Sequence, residues 1–233
     1  MNLYLVSIIV LLILFVLYCH YYSFKKINPN WEILQVENPS KDKYEKVMLQ
    51  KLPTVITNVI KHWDGINQIN PNYIHQTKNK YPEDKNVKKL LDKYLGFYHL
   101  QFTIRKSYIS YYGRVGSQTP IILQKNHRHL MCQLYGKRRI IIFMPEQDEF
   151  LYPTNSSNDQ NKKKSKKALV KSKVDFWNQD LETYPKFNNA RYLEIILSQG
   201  QILYIPYGWW WASECITESI TLNDNSVSVL SIF

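Results

Sequence analysis

Two histidines one residue apart, His127 and His129, with Gln133 four residues further on, form the arrangement in this chain that most resembles a set of metal ligands. On a strand, side chains i and i+2 point to the same face, so a His-x-His pair can present two imidazoles to one ion. The same pair read without a metal is two polar residues at a strand end, facing solvent. No histidine follows His129, so further ligands would have to come from Gln124 or from an acid such as Glu194. A second chemical group is Thr119 with Arg138, the latter flanked by Lys137 and Arg139. A guanidinium there could grip a carboxylate through two parallel hydrogen bonds, or pair with a surface acid as an ordinary strand residue. The third group is aromatic, Trp209-Trp210-Trp211. Adjacent strand residues alternate faces, so at most two of the three line one surface, and core packing accounts for most of the cluster.

The elements that must position these groups are short and bounded by turn residues. Strands are predicted for Val55-Ile56-Thr57 after Pro53, for Gln101–Tyr112, and on either side of Tyr135-Gly136 over Thr119–Cys132 and Gln133–Pro145. Further strands are predicted near Tyr192–Leu197, Ile202–Ile205 and Val227–Phe233. Helical patterns occupy Asp42–Gln50 and Lys88–Tyr94. A series of short strands ending on a strand predicts a mainly β, closed jelly-roll barrel with flanking helices.

The stretch Gly200–Trp211, GQILYIPYGWWW, combines a Gly-led turn, a buried strand and a Pro-Tyr-Gly turn opening into tryptophans. It resembles the second motif of the cupin barrels, and more narrowly that of the JmjC/cupin-like iron- and 2-oxoglutarate-dependent oxygenases. The Pro-led strand at residue 53, Thr119–Pro153 with QLYGKRRIIIFMP, and SKVDFWNQDLETYPKF (Ser172–Phe187) extend the likeness in order over most of residues 50–233. The resemblance implies a double-stranded β-helix. It also implies iron(II) held by two histidines and a carboxylate, with 2-oxoglutarate held by a basic residue after the glycine and by a Thr or Tyr. The last two roles fall on Arg138 and Thr119.

The iron ligands are another matter. The distal histidine position carries Trp211. Counted from Thr119, the His-x-Asp/Glu pair falls on Ile122 and Gln124; counted back from Gly136, it falls on Leu123 and Lys125. Neither register supplies a ligand pair, and Gln124 is a poor neutral donor. A last-strand position that the family often fills with Asn is Leu230. The expectation is therefore a degenerate member with no catalytic residues and no cofactor, serving as a binding or scaffold module. The alternative is an active 2-oxoglutarate oxygenase with iron on His127 and His129.

Composition adds an anchor and a charge. Residues 3–19 are an almost unbroken apolar run, ~26 Å long as a helix, followed by Tyr21, Tyr22, Lys25 and Lys26. It reads as an uncleaved single-pass transmembrane helix rather than a signal peptide. The lysines on its C-terminal side place the domain in the cytosol, where the sequon at Asn155 would stay unmodified. The expected division is an anchor over 1–24, a juxtamembrane segment over 25–50 and a cupin-like domain over 51–233, with a lysine-rich insertion at 154–173. Net charge is +11. Lys162–Lys173 could dock on anionic lipid or nucleic acid, or be a solvated loop. Three cysteines exclude a disulfide framework; Cys132 and Cys215 are expected buried and reduced. The abundance of Asn, Lys, Ile and Tyr fits an AT-rich genome, such as that of a parasite, an amoeba or a large DNA virus. No partner protein or oligomeric state can be read.

Overall fold

The computed structural model describes residues 3–25, 28–61, 66, 69, 103–125, 128–154 and 170–228. Among these residues ten strands form two sheets. They are β1 (Leu34–Glu37), β2 (Thr54–Thr57), β3 (Thr103–Gly113), β4 (Ile122–Leu123), β5 (Arg128–Tyr135), β6 (Lys137–Phe143), β7 (Leu193–Ser198), β8 (Ile202–Pro206), β9 (Trp210–Cys215) and β10 (Ser219–Ser228). The larger sheet runs β1-β2-β8-β5-β10-β3 and the smaller β4-β9-β6-β7. The protein is mainly β, a cupin-like jelly roll.

Period-two alternation decides what lies between the sheets. Val55, Met131, Leu203 and Ile205 of the large sheet meet Ile140, Ile142, Ile195 and Leu197 of the small one in a single buried cluster that includes Trp209. The residues between them in sequence face outward. Leu130, Cys132, Ile202, Tyr204 and Leu222 pack under the helix α2 (Lys41–Leu49). Ile141, Phe143, Trp210 and Ala212 pack under a cap built from Leu151, Val174, Phe176 and Phe187. Each strand thus serves two cores, which is why its burial is almost continuous.

Glycines with positive φ stand where the chain passes from one sheet to the other, Gly136 and Gly208 among them. Gly136, φ +73°, lies between β5 and β6, and a Cβ there would come 1.9 Å from the Glu218 carbonyl oxygen. Gly208, φ +86°, lies between β8 and β9. Both are left-handed positions that favour glycine.

Two elements ahead of residue 51 pack on the barrel. β1 pairs in parallel with β2, and α2 is capped by Ser40 and buries Tyr44 and Met48 in the core beneath it. The strand expected over Thr119–Cys132 is broken into β4 and β5, and that expected over Gln133–Pro145 begins only at Lys137. β9 and most of β10 were not anticipated as strands. Leu230, Asn155, Lys88–Tyr94 and lysines 162–167 lie outside the described residues.

At the N-terminus, α1 (Leu3–Lys25) is helical as expected, and nearly all its described apolar side chains are exposed. Among the described residues no helix is long and apolar enough to cross a membrane. Among the described residues the transmembrane expectation therefore has no support.

Outside the large sheet, Arg128 and Asp224 form an ion pair at 3.1 Å with both side chains fully buried, and Arg128 also donates to the Tyr44 hydroxyl at 3.3 Å. This ties β5, β10 and α2 together. Removing one member strands the other charge in the core, so Asp224→Ala is expected to cost about 3–5 kcal/mol in a denaturant titration. A loss below ~1 kcal/mol would show that the pair is not a structural tie.

Candidate functional site

The candidate site lies inside the barrel, where β4, β5, β9 and β10 turn their inner faces towards one another. β4 is only two residues long, and its position rests on its pairing with β9. Ile122 stands opposite Trp211 and Leu123 opposite Trp210. The ladder continues one residue further, with Gln124 N–H donating to the Trp209 carbonyl and Gly208 N–H to the Gln124 carbonyl, each at 2.8 Å. Ile122 therefore lies beside Trp211 in the ladder, with Gln124 two residues further on. Ile122 and Trp211 are half-buried neighbours, Gln124 is buried, and Lys125 is exposed.

β5 begins at Arg128, and His129 is its first inward residue. The His129 side chain is 3% exposed, so it does not face solvent as one sequence reading had it. Its Nε2 lies 2.7 Å from Asn223 Oδ1 on β10. An amide oxygen can only accept, so Nε2 carries the proton and Nδ1 holds a lone pair. Burial pushes the imidazole pKa down to about 4, against the smaller opposing effects of Asn223 and Asp224. The Trp211 indole packs on this ring, with centroids 5.4 Å apart and planes tilted by 56°. Among the described residues both His129 Nδ1 and Trp211 Nε1 are buried without a hydrogen-bond partner. Such groups cost about 1–3 kcal/mol each when left unpaired.

The three tryptophans separate as alternation requires. Trp209 joins the inter-sheet core, Trp210 joins the outer cap and donates to Asp148, and Trp211 faces the barrel centre. Arg138 is 2% exposed and reaches Ser213 Oγ at 3.4 Å and Cys215 Sγ at 3.1 Å. Ser213 in turn holds Thr119: its N–H donates to Thr119 Oγ1 at 2.8 Å. Thr119 and Arg138 therefore meet through Ser213. The residue paired to surface acids is Arg139, which binds Glu194 through two hydrogen bonds of 2.9 and 2.8 Å. That pairing lies on the outer face, so Glu194 cannot join His129 as a ligand. His127 lies outside the described residues.

Gln133, noted in sequence only for its spacing from His129, is fully buried. It donates to Ser219 Oγ and the Tyr135 carbonyl and accepts from Thr221. Asn223 and Ser213 escaped sequence reading because their partners are 94 residues away. The only available signal was polar residues alternating along a late apolar stretch.

Comparison with known proteins places this geometry. The cupin-like domain profile matches residues 114–225, a span that includes β4, β5, β6, β8 and β9 and every described residue of the site. The chain carries a cupin-like domain of the JmjC-related family. Over 114 residues, 49% of this chain, it is 35% identical to HSPB1-associated protein 1 of Bos taurus, covering 22% of that protein. Over 101 residues it is 33% identical to lysine-specific demethylase 8 of Xenopus tropicalis, covering 43% of this chain and 20% of that one. An alignment with Jumonji C domain-containing protein 5 of Drosophila melanogaster covers 79% of this chain and 57% of that protein at 23% identity. The chain thus spans about a fifth of the first two relatives.

The cupin-like/JmjC fold implies an iron ion between β4 and β9, and the residues there do not fit one. Ile122 offers no donor atom, the Trp211 indole offers an N–H rather than a lone pair, and Gln124 offers at most a neutral amide oxygen. Among the described residues no three His, Cys, Asp or Glu side chains group to hold a metal.

The depressed His129 pKa makes a pH prediction. In the unfolded chain the ring takes up its proton near pH 6.5, while in the fold it does so only near 4. The unfolded state therefore binds more protons across that window, and stability is full above about pH 6.5 and lost as pH falls towards 4. The shift corresponds to roughly 3 kcal/mol. Urea titrations from pH 7 to 4 should show this slope in the native protein, and His129→Gln should flatten it. An unchanged slope in the variant would assign the effect to another group.

Proposed function

We propose that this protein is a membrane-tethered cupin/JmjC-like binding or scaffold module that has given up iron-dependent oxygenation. The observation that supports the reading is the pairing of Ile122 with Trp211, which puts an alkyl side chain and an indole where the fold family holds iron. An indole is large enough to fill the volume that a ligand and its ion would occupy. Thr119, Ser213 and Arg138 remain as a polar, cationic wall that suits an organic acid. The rival reading is an active oxygenase using His127 and His129. The lone pair on His129 Nδ1 favours it, and Trp211 against that ring opposes it.

The membrane part of the proposal draws on α1. Its exposed apolar side chains occur all around the helix, from Tyr4 and Leu5 to Leu17 and Tyr18, and such a helix needs an apolar environment. With Lys25 and Lys26 at its C-terminal end, the domain faces the cytosol. Lys162–Lys173 then serves as an auxiliary contact to anionic lipid headgroups, with nucleic acid as the competing partner. Val170 and Lys171, described residues at its C-terminal end, lie beside β4: Thr154 N–H donates to the Lys171 carbonyl and Leu123 N–H to the Val170 carbonyl.

Two experiments test the proposal. The full chain should release no succinate or carbon dioxide from 2-oxoglutarate with iron(II) and ascorbate, whereas Ile122→His, Gln124→Asp and Trp211→His together should create an iron site. Turnover by the native chain, or a folded triple variant that binds no iron, would contradict the assignment of the metal positions. In cells the full chain should stay in the membrane pellet after alkaline carbonate, and recovery in the supernatant would rule out a spanning anchor.

A further inference from the structure

A cleft of about 550 Å³ opens at the end of the small sheet where β6 leaves and β7 begins. Its walls come from three separate stretches of chain. Gln147 and Phe150 follow β6, Asn188, Asn189 and Arg191 precede β7, and Trp31 stands ahead of β1. The volume lies in the range of small-ligand sites, roughly 300–1,000 Å³.

Packing holds these walls in place. Leu151, next to Phe150, and Phe187, next to Asn188, are buried in the outer cap. Arg191 N–H donates to Gln147 Oε1 at 2.9 Å and so ties two of the stretches together. On the third, Ile33 and Leu34 pack against the inter-sheet core, and the Asn28 amide donates to the Gln50 carbonyl at 2.7 Å. Trp31 lies between these two anchors and still keeps 38% of its surface exposed. With Phe150 in the same cleft, it offers aromatic surface on which a flat ring can pack.

The polar groups of the cleft select the charge of its ligand. Trp31 Nε1 and the Arg191 guanidinium can only donate hydrogen bonds, and Gln147, whose oxygen is taken by Arg191, keeps its two amide N–H donors. Asn188 and Asn189 can donate or accept. Among the described residues no Asp, Glu, His or Cys lines the cleft, and Arg191 makes no ion pair. The walls therefore hold no metal ligand and no carboxylate to answer the guanidinium. Such a donor-rich, cationic wall favours an acceptor-rich anion, and a planar guanidinium can grip a planar carboxylate through two parallel hydrogen bonds. We propose that this cleft binds a small aromatic carboxylate, its ring on Trp31 and Phe150 and its charged group on Arg191 and the Gln147 amide. Arg191 is exposed, so the ion pair alone is weak and screened by salt, and the ring contact is needed as well. The Thr119–Arg138 wall inside the barrel shares none of these residues, so the inference stands apart from the reading of the metal positions.

The test uses the full chain in an uncharged detergent, labelled with ¹⁵N at tryptophan. It is titrated with benzoate, with benzamide, which keeps the ring and loses the charge, and with acetate, which keeps the charge and loses the ring. The Trp31 Nε1–H resonance is identified by its absence from Trp31→Phe. Benzoate is expected to move that resonance saturably, and more weakly as salt is raised, while benzamide and acetate bind about tenfold or more weakly. Arg191→Gln should weaken benzoate binding about tenfold, the loss of a charge-assisted hydrogen bond at an exposed site. The comparison of the three probes in the native chain stands even if that variant does not fold. A Trp31 resonance that ignores benzoate would overturn the inference, and so would equal binding of benzamide or of acetate. Benzoate that moves Trp211 and leaves Trp31 in place would also overturn it, since the anion then enters the barrel instead.

Discussion

The two residues of β4 are held against β9 by a ladder that runs from Ile122–Trp211 to Gln124–Trp209, and the centre of the barrel depends on that register. A shift of one residue would turn Leu123 inward and Ile122 outward, since side-chain direction alternates strictly. The register is fixed from both ends. Gly208 takes the left-handed turn that brings β9 back beneath β4, and Ser213 holds Thr119 just ahead of β4. In the fold family this register serves a metal. In this chain it sets the Trp211 indole against the His129 imidazole.

Side-chain hydrogen bonds join the strands around the barrel centre. A metal would draw its ligands together from several strands. Here the same strands are joined by a chain of neutral hydrogen bonds, Gln133 with Ser219 and Thr221, and His129 with Asn223. On the far side of β5, the buried Arg128–Asp224 pair binds the sheet to α2. Among the described residues, polar atoms stay unsatisfied at the contact of His129 with Trp211, and unpaired buried groups mark sites where a fold has kept something other than maximal stability.

Much of this was legible in the sequence, for identifiable reasons. Gly200, Pro206 and Gly208 punctuate the late motif strongly enough that β8 could be placed closely and the missing histidine noticed. Gly136 marked the passage from β5 to β6. What escaped depended on distant partners. β1 is four residues of LQVE whose pairing with β2 follows from α2 packing beneath the sheet, so the segment read as an approach rather than as barrel. Arg128 sits between two histidines in sequence, yet its meaning comes from Asp224, 96 residues later. Arg138 and Arg139 looked interchangeable. Only the register with β9 and β7 sends one into the barrel and leaves the other on the surface with Glu194.

The central proposal is that aromatic packing stands in this barrel where the fold family holds a metal. The measurement that tests it most directly is iron(II) titration of the full chain, purified without a chelator or a histidine tag, with stoichiometry read by elemental analysis. The account predicts no iron retained, whether or not 2-oxoglutarate is present. About one iron per chain would contradict it and make His127 and His129 the first residues to replace.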